Sequence, residues 1–116
     1  MLTASAQQIS PLAFSVAVHR DRDQVVVGPT GELDMVTAPQ VELRLADLRD
    51  AGFADVVLDL RALTFMDSSG LELLLSERRT ARAKGHRFRL MGGSAASRRV
   101  LELTGTAGMF DVVGRS

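Results

Sequence analysis

Residues 56–71 have the sequence VVLDLRALTFMDSSGL, and this stretch decides the fold because it joins an apolar strand to an amphipathic helix. Its first five residues form a nearly continuous apolar run, which is typical of a strand in a buried parallel sheet. From Leu71 onward the apolar residues recur at helical spacing. The tetrad DSSG at 67–70 lies between the two, where free backbone N–H groups and the positive end of a helix dipole favour an anion. The stretch therefore predicts a polar site at the start of this helix.

The two serines of the tetrad have different expected roles. Ser69 is followed three residues later by Glu72, which is a capping-box pattern, so Ser69 is predicted to cap the helix. Ser68 then lies just before the cap and is expected to be exposed. Its hydroxyl beside a helix N-terminus suggests a residue that is modified rather than one that catalyses. A purely structural role at the helix start is the alternative.

Length and composition indicate one globular domain. The chain has 116 residues, of which 46% are hydrophobic and 24% charged, and it has no cysteine for disulfides or thiolate metal sites. Residues 1–11 are small and polar and are predicted to form a flexible tail, which leaves residues 12–113 as the domain. No signal-peptide pattern is present, and no apolar run approaches the roughly 20 residues of a membrane span. These features predict a cytoplasmic protein with no membrane association.

Charge is balanced overall but unevenly distributed along the chain. Residues 1–70 contain five Lys or Arg and ten Asp or Glu, whereas residues 71–116 contain nine and four. Several of the cations, from Arg78 to Lys84, fall in the last turns of a predicted helix, where they complement its dipole. Because the net charge is zero and no aromatic residue is interleaved with the arginines, nucleic-acid binding is not predicted.

The remaining chain alternates between strand and helix patterns. The glycine- and proline-containing segment GPTG at 28–31 is predicted to be a turn. The predicted elements are strands at 12–20, 24–28, 55–60, 88–91 and 109–113, and helices at about 37–52, 69–84 and 94–105. A capping box is also predicted at Thr37. The order β-β-α-β-α-β-α-β predicts an α/β domain with a mixed sheet of four or five strands and helices mainly on one face.

The predicted topology places three loops at one edge of the sheet. Loops 31–36, 64–69 and 92–94 follow the carboxyl ends of strands and each precedes a helix, which is where α/β sheets bind ligands. This arrangement brings Glu32, Asp34 and Asp67 towards Ser68. The sequence thus predicts that acidic side chains surround the exposed hydroxyl of Ser68.

A hydrolase function is disfavoured because no general base is available. The surroundings of Ser68 do not match G-x-S-x-G, and the only histidines are His19, in the first hairpin, and His86, at the opposite edge of the sheet.

Other catalytic and cofactor-binding patterns are also incomplete in this sequence. Asp59 lacks the second acidic pair and the nearby lysine of a phosphoaspartate receiver, since the only lysine is Lys84. The segment at 28–31 lacks the Gly-Lys-Ser/Thr of a P-loop, and no acidic or histidine cluster has metal-ligand spacing. We therefore predict a protein that is not an enzyme and has no catalytic residue, cofactor or metal site.

Three segments together resemble a STAS domain of the bacterial anti-sigma factor antagonists. They are GELD at 31–34 followed by Thr37-Ala38, VLDL at 57–60, and LTFMDSSGL at 63–71. The similarity extends over about residues 12–113, with every element in the family's order.

The resemblance implies a phosphorylation switch. By this resemblance, Ser68 is expected to be phosphorylated by an anti-sigma factor with GHKL-type serine kinase activity. A PP2C-like phosphatase is expected to remove the phosphate. The unphosphorylated form binds the anti-sigma factor and so releases the sigma factor. The alternative is a non-switching STAS module that acts as a scaffold or as the cytoplasmic subunit of a transporter. The expected partner-binding residues are Asp34, Phe65, Met66, Asp67, Ser69, Gly70 and Leu71.

Overall fold

A mixed sheet of six strands carries three α-helices and one short 3-10 helix in the computed structural model, which describes residues 13–113. The predicted tail at 1–11 lies outside the described residues. The elements in chain order are β1 (Ser15–Asp21), β2 (Gln24–Leu33), α1 (Ala38–Asp50), β3 (Asp55–Asp59), β4 (Leu63–Met66), α2 (Ser68–Lys84), β5 (Arg87–Met91), α3 (Ala95–Thr104), the 3-10 helix (Ala107–Met109) and β6 (Asp111–Val113).

The strand order is β1-β2-β3-β5-β6, with β4 paired to the far end of β2. Only β1 and β2 are antiparallel, and all other pairs are parallel. The predicted α/β class and element order are confirmed. The number of strands is higher than predicted, because residues 63–66 form β4 rather than a loop. β3 pairs with β2 only as far as Val27, so Gly31 to Leu33 of β2 are available to pair with β4.

The prediction of a turn at 28–31 is wrong, since these residues continue β2. On the side of β2 that faces β3 and β4, pairing with β3 ends at Val27 and pairing with β4 begins at Gly31. Pro29 falls in this gap, where its missing N–H removes no ladder hydrogen bond on that side. On its other side Pro29 lies opposite Val16 of β1.

The core lies on one face of the sheet, against the helices. Alternate strand residues point towards it, as the period of two requires. Its strand members include Val25, Val27, Val56, Leu58 and Leu90, and its helix members include Val41, Leu45, Leu73, Leu74 and Leu101. This arrangement confirms that the helices pack mainly on one face.

The opposite face carries a polar network. Arg89 donates hydrogen bonds to Gln24 Oε1 at 2.8 Å and to Asp55 Oδ1 at 3.0 Å, and the three residues come from β5, β2 and β3. Val57, on the same face, is fully buried. Three strands are thereby tied together on the side that the helices do not cover.

The ends of α2 and α3 follow the predicted glycine signals, whereas the predicted start of α1 does not. Gly85 and Gly105 adopt φ values of 69° and 71° after α2 and α3, a left-handed conformation that suits glycine. Thr37 precedes α1 and Pro39 lies in its first turn, but the predicted capping box does not form, since the Thr37 side chain makes no cap hydrogen bond. In residues 13–113 no helix is both long enough and apolar enough to cross a membrane.

Candidate functional site

The predicted site lies where β2 and β4 end and α1 and α2 begin. β4 pairs with the end of β2, with Leu33 opposite Met66. The Asp67 N–H then donates to the Leu33 carbonyl at 3.3 Å, which holds the loop before α2 against the loop before α1. The third loop predicted at this edge, 92–94, bonds instead to Leu60 through the Ser94 N–H. Two of the three predicted loops therefore build the site.

Asp67, not Ser69, caps α2. Its backbone is extended, with φ of −117°, and its Oδ1 accepts a hydrogen bond from the Ser69 N–H at 2.9 Å. The prediction of Ser69 as the cap is wrong because β4 continues to Met66 and the chain turns into the helix one residue later, at Asp67. Ser68 is thus the first helical residue, and it is exposed, as predicted, while Ser69 is partly buried.

Removal of this cap should destabilise the fold measurably. We expect Asp67→Ala to lower the free energy of unfolding by about 0.5–2 kcal/mol, since a helix N–H loses its acceptor. Asp67→Asn should cost far less, because asparagine caps about as well as aspartate. Urea unfolding of both variants checks this. Ser69→Ala is the comparison, and a loss as large as that of Asp67→Ala would contradict the assignment of the cap.

Asp34 organises the loop before α1. Its Oδ1 accepts hydrogen bonds from the Val36 N–H at 2.9 Å and the Thr37 N–H at 3.0 Å. The Thr37 hydroxyl in turn accepts from the Asp34 N–H and lies 2.7 Å from the Glu32 carbonyl, to which it donates. The backbone hydrogen bonds from Thr37 and Val36 lower the pKa of Asp34 below its usual value. A fixed negative charge therefore lies beside the start of α1.

The other predicted partner-binding residues differ in how deeply their side chains are buried. Phe65 is exposed and Leu71 is partly buried, whereas Met66 and Gly70 are buried. A Cβ atom at Gly70 would meet Met66 Cγ at 2.7 Å and Leu33 Cδ2 at 3.0 Å. Glycine at this position allows the first turn of α2 to pack directly on the strand ends. Met66 and Gly70 thus support the site from its buried side.

Two exposed residues of the site were not among the predicted partner-binding residues. Met35 is 75% exposed and Val36 is 69% exposed, both in the loop that Asp34 organises. Two large apolar residues in a row within a strand-to-helix loop are the sequence signal that points to them. With Phe65 they form an apolar rim (Met35, Val36, Phe65) on the segments that flank Ser68, and such exposed apolar groups mark interaction surfaces.

A groove of about 570 Å³ extends from the rim between α1 and α2. Met35 and Ser69 line it at the site, and Leu75 and Arg79 line it farther along α2. The site is therefore an exposed hydroxyl beside an apolar rim and an adjoining groove, which suits the docking of another protein more than enclosure of a small substrate.

No general base is positioned for Ser68 in the part of the chain that the structure describes. His86 precedes β5, and His19 lies opposite Val26 near the start of β2, so both are at the amino edge of the parallel strands. Residues 13–113 also contain no group of three or more potential ligands that could hold a metal ion.

The family model for the STAS domain matches residues 15–115. The chain belongs to the STAS family. The resemblance noted from the sequence is thereby confirmed, and with it the predicted fold class. Two of the segments that carried the resemblance, GELD at 31–34 and DSSG at 67–70, lie side by side at the site of this STAS domain.

Proteins that are similar in sequence or in structure have related names. The anti-sigma-B factor antagonist of Staphylococcus epidermidis is 31% identical over 101 residues, which cover 87% of this chain and 92% of that protein. The crystal structure of an anti-sigma factor antagonist from Mycobacterium paratuberculosis has a TM-score of 0.76 at 28% identity, with 91% of this chain and 90% of that chain covered.

The anti-sigma factor antagonist SpoIIAA is similar in two states. Its unphosphorylated form has a TM-score of 0.70 at 27% identity, covering 89% of this chain and 90% of that chain. The phosphorylated form of this Bacillus cell fate determinant has a TM-score of 0.66 at 27% identity, covering 89% and 93%. Both states of SpoIIAA thus share the fold of this STAS domain.

Proposed function

We propose that this STAS domain is an anti-sigma factor antagonist that is switched off by phosphorylation of Ser68. The unphosphorylated form binds an anti-sigma factor, and the sigma factor held by that protein is released. The observation that carries the proposal is the position of Ser68, an exposed hydroxyl on the first residue of α2 beside the apolar rim. The names of the similar proteins support the same function.

The binding surface consists of the apolar rim, Ser68 and the adjoining groove. Burial of the rim supplies affinity, because apolar surface leaves water when the partner docks. The fixed loop of Asp34 supplies a defined shape, so little ordering is needed on binding. Met66, Gly70 and Leu71 hold this surface in place, and Asp67 fixes the start of α2.

The fold is suited to carry a phosphate at Ser68. Phosphorylation adds about −1.5 to −2 charges, and the N-terminus of a helix stabilises an anion. Among residues 13–113 we find no acceptor for the Ser68 and Gly70 N–H groups, so both are free to donate to a phosphate. The similarity of both SpoIIAA forms to this fold supports a switch without refolding.

The modifying enzymes follow from the same proposal. The anti-sigma factor is also a GHKL-type serine kinase, which transfers a phosphoryl group from ATP to Ser68 Oγ and takes up the hydroxyl proton. A PP2C-like phosphatase hydrolyses the phosphoserine and restores binding. The kinase supplies the base, because neither histidine of this chain lies at the Ser68 edge. The chain is thus a binding partner and a substrate rather than an enzyme, and it acts with its partners in the cytoplasm.

Affinity capture from the source bacterium tests the proposal. Ser68→Ala and Ser68→Asp proteins serve as baits, and bound proteins are identified by mass spectrometry. Ala95→Asp is a matched control, because Ala95 is the exposed first residue of α3 and receives the same charge. We expect a GHKL-type kinase on the Ser68→Ala and Ala95→Asp baits and not on Ser68→Asp. Capture of the same scaffold or transporter proteins by all three baits would overturn the switch and favour the non-switching module.

A further inference from the structure

The adjoining groove between α1 and α2 carries charges that the proposed switch does not use. Its lining includes Glu42 of α1 and, on α2, Glu72 and Arg79. Three ion pairs occur among residues 13–113, and none of them involves any of these side chains. The groove therefore presents two carboxylates and one guanidinium group that have no partner of opposite charge within the described chain.

The two glutamates lie on opposite walls of the groove at the same level. Each is the fifth residue of its helix, since α1 begins at Ala38 and α2 at Ser68. Glu42 is about two turns before Arg49, which pairs with Glu77 of α2, so both lie on the side of α1 that faces α2. Burial raises the pKa of Glu77, and the nearby charge of Glu42 adds to this effect. The groove is therefore acidic on both walls at the end that adjoins the site.

Arg79 lies farther along the α2 wall of the groove. It is seven residues after Glu72, which places the two side chains about two turns apart on one stripe of the helix. Leu75 and Ser76 line the groove between them. Ser68 is four residues before Glu72 and lies on the same stripe. From the Ser68 end, the charges of the groove are thus first acidic and then basic.

Stabilisation of the helix dipoles does not account for these charges. The effect of the dipole is confined to the first and last turns of a helix. Neither α1 nor α2 has an acidic residue in its first turn, and the basic residues in the last turn of α2 are Arg82 and Lys84. Glu42, Glu72 and Arg79 lie outside these turns. Because they line a groove that continues from the apolar rim, their charges point to a partner that extends beyond the rim.

The shape of the groove favours a helix of the partner. Along α2 its lining extends from Ser69 to Arg79, about 15 Å at 1.5 Å per residue, or about three turns. Both walls are helices, and in the middle of a helix the backbone groups bond to each other. An extended segment would find no backbone partners there, whereas a helix satisfies its own backbone groups and can place side chains in the groove.

We propose that the adjoining groove receives an amphipathic helix of the anti-sigma factor, which Glu42, Glu72 and Arg79 select by charge. The helix packs its apolar side on Met35 and Leu75. It carries a lysine or arginine at the level of the two glutamates, and an aspartate or glutamate about two turns farther along. A helix with these charges in the opposite order is repelled, which discriminates between anti-sigma factors. This inference rests on the proposed function, since it concerns the same partner.

Isothermal titration calorimetry with the kinase captured on the Ser68→Ala bait tests this assignment on the full chain. The double variant Glu42→Lys/Glu72→Lys reverses the charge of the acidic end of the groove. Asp47→Lys/Asp50→Lys is the matched control, because it makes the same charge change at two exposed positions of α1 that do not line the groove.

A second variant, Arg79→Glu, tests the order of the charges rather than the net charge. A partner surface that is uniformly basic would bind this variant more tightly than the wild type. The proposed helix would bind it more weakly, because its acidic residue would then face a carboxylate. Arg98→Glu is the matched control, since Arg98 is an exposed residue of α3 outside the groove.

We expect binding to be at least about tenfold weaker for Glu42→Lys/Glu72→Lys and at least about threefold weaker for Arg79→Glu, with both controls like the wild type. Tighter binding by Arg79→Glu, or equal losses in the groove variants and their controls, would overturn the inference. If the groove variants bind like the wild type while Ser68→Asp loses binding, the inference fails and the proposed function stands. Capture of no kinase by Ser68→Ala would overturn the proposed function and this inference with it.

Discussion

The Ser68→Asp protein is expected to bind its anti-sigma factor roughly 30-fold to 4,000-fold more weakly than the wild type. The expected penalty is about 2–5 kcal/mol, the cost of a charge that is buried without a partner at an interface. The new carboxylate would lie on the first residue of α2, next to the cap carboxylate of Asp67 and across the strand ends from Asp34. Because hydrogen bonds lower the pKa of Asp34, that group cannot relieve the repulsion by taking up a proton near neutral pH.

Isothermal titration calorimetry with the captured anti-sigma factor measures this effect. The thermal melting temperature of Ser68→Asp should stay close to that of the wild type, since the start of a helix stabilises a negative charge. Ser68→Ala should bind with nearly unchanged affinity, and Ala95→Asp should behave like the wild type. Undiminished binding by Ser68→Asp, or unfolding of that variant, would contradict the proposed mechanism.

The sequence predicts the edge of the sheet where this site lies but not the residue that caps α2. Both Asp67 and Ser69 are good N-cap types, and the glutamate three residues after Ser69 favours the wrong one. The choice depends on where the preceding strand ends. β4 pairs with residues of β2 that are more than thirty positions earlier in the chain, and a local pattern contains no information on that pairing.

Two wrong predictions, a loop in place of β4 and a turn at residues 28–31, have the same physical origin. Glycine and proline favour turns locally, but Pro29 is accommodated because pairing with β3 has ended and pairing with β4 has not begun. Long, periodic elements such as α2 are less sensitive to such effects, and their bounds were predicted closely. The depth of site residues is likewise a tertiary property, so the burial of Met66 and Gly70 and the exposure of Met35 became visible only in the structure.

Removal of the Arg49 guanidinium is expected to produce a large loss of stability. Arg49 of α1 pairs with Glu77 of α2, whose side chain is only 5% exposed. In Arg49→Met the carboxylate is left buried without its cation, which should lower the free energy of unfolding by about 3 kcal/mol at pH 7. The value is at the low end for a broken buried pair, because Arg49 itself is partly exposed.

The pH dependence of this loss identifies its cause. Burial raises the pKa of Glu77 above its usual value of 4.5, although Arg49 opposes the shift, so the folded state binds a proton more tightly than the unfolded state. The resulting contribution to stability is fully present below pH 4.5 and is lost as the pH rises through the pKa of the folded state. Without Arg49 that pKa rises further. The deficit of Arg49→Met should therefore shrink as the pH is lowered from 7 towards 4.5, which urea unfolding at a series of pH values measures.

The double variant Arg49→Met/Glu77→Met separates the loss of charge pairing from the loss of packing. With both charges replaced by flexible apolar groups, no buried carboxylate is left without a partner, and substitutions of this kind are neutral or stabilising in many proteins. We expect its stability at pH 7 to return at least to the wild-type level, with little dependence on pH between 4.5 and 7 from this position. If the double variant were as unstable as Arg49→Met, the arginine stem rather than its charge would hold α1 against α2. In that case the groove that begins at Ser69 would owe its shape to packing alone.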